Sequence, residues 1–414
     1  MLSKLFELKK VLGASDSGNT SNKFSYIDKE GNIRSFVIPS VIAEAGPNPE
    51  VDMGGSSKVS LPKESKLHVT IKSDALPNGE KVGHYYVGEY AKFADEYKQP
   101  NGEAEDKHNN KLHTITTLTG FALMAWELGM EEINIPYYGG LPIEEYRRVG
   151  PNAVLDRIKG VHEVTGVDGE FKGKTALIKI EEGEVHPEGV TSSLGLGFDI
   201  KNGEMFETTL ENKIGENFAI TDLGAGTLDT AIYDVDGLNS KLSGNKKIGT
   251  NRYIDRILER IELEVEAFVE VKKDLESTGT YEPPYRTREE FMRTVIIPEV
   301  SKMIKMNKEG QDYEPRFYAD WLWETGEDIS EIVKEEMENY YNEVVKEIYA
   351  FWSSARTKTF VIVGGGLLFA YYKFREPKNQ KRFLYPPNLE QANFFTSRAY
   401  LISNYMDHAE LIQA

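Results

Sequence analysis

The chain has 414 residues, of which 40% are hydrophobic and 11% aromatic. It is too long for one ordinary core and too apolar for a disordered polymer, so several globular subdomains are expected. A formal charge of −18 excludes a general binder of nucleic-acid phosphates, and the absence of cysteine excludes disulfides, thiolate metal sites and cysteine nucleophiles while suiting a reducing cytoplasm.

The opening "MLSKLFELKK" interleaves Lys4, Glu7, Lys9 and Lys10 with its apolar residues, so it lacks the uninterrupted apolar run of a secretion signal. Leu2, Leu5 and Phe6 suit either a short amphipathic anchor or a segment packed beside the first strand. "KKVLGAS", "KFSYID" and "IRSFVIP" alternate and end in turn residues, which predicts a β-meander. Residues 46–110 are rich in Gly, Pro, Asn and Lys and read as an inserted, more exposed subdomain. From Leu112, the residues Ile115, Leu118, Ala122 and Ala125 fall on one helical face, and Gly129 is a natural stop. "EEINIPYYGGLPIEEY" predicts a strand entering a glycine-proline turn, then a polar helix and a hairpin that includes "TALIKI".

Near Asn217 a second strand-rich stretch begins, with "FAITDLG", "TLDTAIYDV" and "LNSKLSG", followed by a helix through "RYIDRILERIELEVEAF". Residues 272–320 break helical periodicity and read as an insertion in the second half. Ile329, Ile332, Val333, Met337, Tyr341, Val344, Val345 and Ile348 then step by three and four along a long acidic helix. The strand "TFVIV" leads into Gly364, Gly365 and Gly366 and another helix. The apolar run at 360–372 is shorter than the roughly 20 residues needed to cross a bilayer, so no membrane span is expected. Asp16 and Asp222 lie about half a chain apart, and each opens a D-x-G turn between strands. An internal duplication explains this, with one domain over 1–195 and a second over 196–414.

Four stretches carry candidate chemistry. "SDSGNTSNK" is either a plain hairpin turn or a loop that aims backbone N–H groups at an anion, with Lys23 adding charge and Asp16 facing a metal. In "ITDLGAGTLDTAIYD", Gly224 and Gly226 admit a ligand against bare backbone and Thr227 offers a hydroxyl. Asp222, flanked by leucine at the end of an apolar strand, needs a partner such as hydrated Mg²⁺. "VIVGGG" is either a tight strand–helix connection or a bed for a flat or anionic ligand. In "VHPEG", Glu188 follows a proline at a strand end, where a carboxylate either orients a water or complements a helix dipole. The seven histidines show no metal-binding spacing.

In this order, the motifs resemble those of the actin-like ATPases, the superfamily shared with sugar kinases and heat-shock chaperones. "DSGNTSNK" looks like the first phosphate loop, with Asp16, Gly18, Asn19, Thr20 and Lys23 in place. "DLGAGTLD" looks like the second, with Asp222, Gly224, Ala225, Gly226, Thr227 and Asp229. "VIVGGG" looks like the adenosine motif through Gly364, Gly365 and Gly366, and "KKIGTNRYIDRI" resembles the second connecting segment. "YYGGLPIEEY" and "HPEGVTSS" are similar to segments of the ParM-type bacterial branch, whose glutamate activates water, so the resemblance gives Glu188 that role. "YPPNLEQANFFTSRAYLI" resembles a family helix with an Ala-Asn pair, although the glycine expected after it is missing and the spacing differs.

The resemblance implies an α/β actin-like fold of two duplicated domains. Each would have a mixed five-stranded sheet flanked by helices and an inserted subdomain, with ATP or ADP and Mg²⁺ in the cleft between the domains. Asp16 and Asp222 would hold the metal through waters, the two loops and glycine triplet would hold the nucleotide, and Asp229 would tie down its loop or touch the ligand's edge. It further implies a cytoplasmic ATPase, with GTP as a possible substitute, that self-associates into filaments and segregates plasmid DNA. Contact with centromere DNA would run through a ParR-like DNA-binding adaptor, in keeping with the acidic charge and with no direct nucleic-acid contact. Another bacterial or phage cytoskeletal filament uses the same chemistry. A metabolite kinase would need a substrate pocket and a catalytic aspartate in the first domain, and neither has a convincing motif. A chaperone ATPase would need a substrate domain after the core.

Overall fold

The computed structural model describes residues 2–49, 64, 66–94, 96–99, 106–208, 217–386 and 388–409. The chain divides into two compact units, residues 1–213 with 394–414, and residues 214–393.

The first unit opens with α1 (Leu2–Glu7), whose Leu5 is 2% exposed and packs among Leu12, Tyr138 and Leu401. The opening segment is therefore a packing element, and burial of one such side chain contributes about 1.5–3 kcal/mol. The expected meander follows as β1 (Gly13–Ser17), β2 (Ser21–Ile27) and β3 (Ile33–Pro39), all antiparallel. β4 (Ile42–Glu44), β5 (Leu67–Lys72) and β6 (Val82–Val87) come next, then α2 (Lys111–Glu127) and β7 (Glu132–Asn134). β8 (Tyr137–Leu141) runs into α3 (Ile143–Val149) and α4 (Asn152–Ile158), and the hairpin of β9 (Gly160–Gly166) and β10 (Thr175–Ile180) precedes β11 (Gly183–Pro187). After α5 (Ser192–Gly197), β12 (Phe198–Lys201) and β13 (Glu204–Glu207) form a short antiparallel pair.

β8 and β11 pair in parallel, and β8 passes close to β1, where a β-carbon on Gly139 would stand 2.9 Å from the Ser15 carbonyl oxygen. A second sheet has the order β4-β6-β5-β9-β10-β7. It corrects the expectation of an exposed insertion over 46–110. β5 and β6 are core strands, with Val69, Ile71 and Val87 buried, and β5 is hydrogen-bonded to β9 outside that range. Residues 50–63, 65, 95 and 100–105 of the expected insertion lie outside the described residues.

α2 is capped by the Asn110 side chain, which accepts from the Leu112 N–H, and Gly129 beyond its end has φ +65°. The apolar stripe read from the sequence marks one side only. The helix is buried all round, its threonines included, because strands of both sheets contact it. Thr116 and Thr119 satisfy their hydroxyls on the carbonyls of Leu112 and Ile115.

In the second unit, β14 (Phe218–Leu223) and β15 (Leu228–Asp234) form a hairpin, β16 (Gly237–Leu238) and β17 (Gly244–Lys246) pair with β15, and β14 also pairs in parallel with β20 (Thr359–Val363). β21 (Phe383–Leu384) closes this mixed sheet beyond β20. The predicted single helix is two, α6 (Asn251–Glu264) and α7 (Glu266–Thr278), because Val265 takes an extended ψ of 111°. Residues 272–320 are more helical than their composition suggests. α8 (Arg288–Phe291) continues through a π turn into α9 (Ile297–Lys308), where Pro298 sits in the first turn and needs no N–H partner. Phe291, Val300 and Met303 join the core of this unit, while β18 (Tyr318–Trp321) and β19 (Glu324–Asp328) form a hairpin before the long α10 (Ser330–Ala355).

α11 (Gly365–Phe369) follows β20, and the last helix, α12 (Phe395–Asp407), belongs to the first unit. This differs from a second domain running to residue 414. Ser397 hydrogen-bonds Ser25, the Asn404 amide donates to the Gly13 carbonyl, and Tyr138 donates to Asp407 at 2.6 Å.

Candidate functional site

β1 and β2 place Asp16 opposite Lys23, and the turn between them closes by a hydrogen bond from Gly18 N–H to the Ser21 carbonyl at 3.0 Å. A β-carbon on Gly18 would stand 2.7 Å from that carbonyl oxygen, so the turn requires glycine there. The Ser40 hydroxyl donates to the Gly18 carbonyl at 2.7 Å and its N–H to that of Thr20 at 2.9 Å, fixing the turn from β3's side. Beneath it, Asn22 accepts from Ser15 and donates to Thr117 of α2. Lys23 Nζ lies 3.9 Å from Asp16 Oδ2. Asn19 is 8% exposed and its buried side-chain oxygen accepts no hydrogen bond from the described residues, a polar acceptor left open on a phosphate-type turn.

Glu188 stands one residue past β11, and its N–H donates to the Leu141 carbonyl at the end of β8. Its carboxylate is ion-paired with Lys107 Nζ, both side chains being 10% exposed. The first unit thus combines a rigid phosphate-type turn with a buried, paired carboxylate.

The second unit repeats the hairpin. Asp222 is opposite Asp229, Gly224 N–H donates to the Thr227 carbonyl at 2.9 Å, and Thr221 hydrogen-bonds Thr230 below the turn. Ala225 and Gly226 form the tip, and the start of α6 braces it: Asn251 N–H donates to the Ala225 carbonyl at 2.9 Å. A β-carbon on Gly249 would overlap that same carbonyl. The glycine triplet abuts the hairpin, since β20 lies parallel to β14 with Val363 opposite Asp222. Gly364 has φ +91°, and a side chain there would overlap Asp222 Oδ1. On Gly365 a β-carbon would stand 2.8 Å from Asn393 Oδ1, and on Gly366 2.5 Å from the Tyr340 hydroxyl. α11 has only five residues, so bare backbone is the main feature of this bed.

The matching hairpins coincide with comparisons to known proteins. A family model described as actin-like proteins, N-terminal domain, matches residues 14–190. Bacillus thuringiensis ParM with AMPPNP is 35% identical with a TM-score of 0.78, covering 97% of this chain and 99% of that one. Bacillus thuringiensis ParM with ATP is 36% identical with a TM-score of 0.78, covering 97% and 100%. This chain belongs to the actin-like ATPases, in their ParM-type branch. The actin-like protein Alp7A, 14% identical with a TM-score of 0.64 over 97% of this chain and 98% of that one, shares the fold. Comparison with curated protein sequences returns no match.

In this ParM-type chain, sequence reasoning missed several residues that build the site. Lys107 lies in the charged stretch "EDKHNNK", which carries no motif. Tyr340 is one apolar position among many on α10, yet its fully buried hydroxyl faces the glycine triplet, and burial first, then Tyr253 and Asp222, raise its pKa. Tyr137 on β8 is pushed up to about 12, chiefly by burial. Gly249 had a signal, the glycine before Thr250 in the segment resembling the second connector.

The chemistry of a phosphate loop is met by backbone: each turn is closed over glycine, which leaves room for an anion beside main-chain N–H groups. Asp16 in the first unit and Asp222 in the second each have the oxygen chemistry that a hard cation such as Mg²⁺ takes. No group of three or more acidic or histidine side chains capable of holding a metal occurs among the described residues. Such an ion would depend on water and phosphate oxygens for its remaining ligands, as Mg²⁺ commonly does. No helix among the described residues is long and apolar enough to cross a membrane.

Proposed function

We propose that this chain binds ATP on its two phosphate loops, hydrolyses it, and polymerises into filaments that move plasmid DNA through an adaptor protein. The observation that carries this reading is the repeated hairpin: Asp16 and Asp222 occupy the same register position, seven residues before Lys23 and Asp229, above turns closed by the same N–H to carbonyl bond. Two ParM relatives solved with AMPPNP and ATP support nucleotide as the ligand.

In the proposed chemistry the backbone N–H groups around Gly18 and Gly224 hold phosphate oxygens, Lys23 and Thr227 add polar contacts, and Gly364 to Gly366 admit the adenosine against bare backbone. Asp16 and Asp222 would hold Mg²⁺, which supplies charge neutralisation on the phosphates. Glu188 orients the attacking water, and Asp229 ties down its loop or touches the ligand's edge. Positioning and electrostatics carry the rate, as in other phosphoryl transfers. The charge of −18 agrees with contact to DNA through an adaptor in the cytoplasm.

The test is polymerisation. Purified protein with ATP and Mg²⁺ is expected to scatter light and to show filaments by negative stain, and particles that stay monodisperse would refute the reading.

A further inference from the structure

Lys107 and Glu188 are 81 positions apart in the chain and meet at 2.5 Å as a buried pair. The lysine is held from behind. Glu145 of α3 accepts the backbone N–H of Lys107 at 3.0 Å and that of His108 at 2.8 Å, and the same carboxylate meets His108 Nδ1 at 2.8 Å. Arg148, one turn further along α3, pairs with Asp106 at 2.7 Å. α3 itself begins two residues after Leu141, whose carbonyl accepts the Glu188 N–H. The result is a closed ring: Leu141 holds the Glu188 backbone, the Gly-Leu-Pro turn leads to Glu145, Glu145 grips the Lys107 backbone, and Lys107 returns to the Glu188 carboxylate.

A buried ion pair is weak evidence of stability, because removing both charges from water costs about as much as their attraction returns. This one fixes the direction of a carboxylate. An ionised carboxylate has about four acceptor sites, and one lysine contact at Oε1 takes up only part of that capacity. The grip of Glu145 on two consecutive N–H groups restricts where Nζ can stand.

We propose that Lys107, held by Glu145, is a positioning residue that keeps the Glu188 carboxylate aimed for hydrolysis. This rests on the reading of Glu188 as the water-orienting group. Lys107 acts through Glu188, so its effect appears in turnover and not in nucleotide affinity.

The experiment measures kcat for ATP, affinity for a fluorescent ATP analogue and melting temperature in Lys107→Met, Lys107→Arg, Glu145→Gln, Glu188→Gln and the double variant Lys107→Met/Glu188→Gln. Lys107→Met is expected to lower kcat about 100-fold, the scale of a misplaced catalytic group, with analogue affinity unchanged. Lys107→Arg should recover most of the loss, and Glu145→Gln should lower kcat in the same direction while leaving the ion pair's own atoms intact. In the Glu188→Gln background, Lys107→Met should change kcat less than about twofold, since a residue acting through another is non-additive with it. Losses that multiply in the double variant, or an unchanged or raised kcat in Lys107→Met while Glu188→Gln is slow, would overturn the proposal. Unchanged turnover in Glu188→Gln itself would remove the reading of Glu188 and this proposal with it.

Discussion

Gly364 stands directly against the carboxylate of Asp222, so close that a β-carbon at Gly364 would overlap Oδ1. The glycine triplet and the second phosphate-type hairpin are therefore one structural piece, joined by the parallel pairing of β14 with β20. Gly364→Ala is expected to fail twice, through the overlap and through its positive φ of +91°. The cost should be about 1–3 kcal/mol of stability. Thermal unfolding and nucleotide titration measure it, and an alanine variant with unchanged melting and affinity would contradict the packing argument.

Asp222→Ala is expected to abolish Mg²⁺-dependent nucleotide binding. Calorimetry with ATP in the presence and absence of Mg²⁺ checks this, and undiminished binding would refute the role given to the carboxylate. A modest, Mg²⁺-independent fall would mean that Asp222 serves only to shape the turn.

Glu188→Ala is expected to slow phosphate release about 10²-fold or more, the usual contribution of a positioned acid or base, while filaments form and last longer. Turnover at the native rate would remove Glu188 from the mechanism.

His113 on α2 is 3% exposed, and neither ring nitrogen has a hydrogen-bond partner among the described residues. Burial first, then the nearby Lys107, Arg157 and Lys98 charges, lower its pKa to about 3. His186 is lowered to about 4, chiefly by burial. Between these values and about 6.5 the unfolded chain binds protons that the folded chain refuses, so stability should fall as pH falls through that window. His113→Leu removes one such group without breaking a hydrogen bond. Urea unfolding at several pH values between 7 and 4 should show a shallower loss for the variant than for the parent, and identical slopes would count against the assignment.

Gly140→Ala tests the seat of the last helix. A β-carbon there would overlap the Tyr400 hydroxyl, and Tyr400 also stacks on His186 with ring centroids 5.8 Å apart. The substitution is expected to cost about 1–3 kcal/mol, and Tyr400→Phe in the same chain should recover part of it by removing the obstructing oxygen. No recovery would place the strain elsewhere.

The residue order alone determined the two hairpins, the α2 and α10 helices, the glycine-broken strand and the family likeness. Each is a local property: alternation, a three-to-four stride, or a turn that only glycine closes. The two aspartates are legible for the same reason, because a D-x-G turn is short. Tertiary structure decided what depends on distant chain segments meeting. It drew β5 and β6 into the interior of a sheet with β9, because a strand that buries Val69 and Ile71 needs hydrogen-bonded neighbours on both sides, and it carried α12 back onto β1 and β2. It also joined Lys107 to Glu188 and set Tyr340 against Gly366. No periodicity marks such pairs, since a lysine in a polar loop and a tyrosine in an apolar stripe become distinctive only when folding buries them beside a specific distant segment.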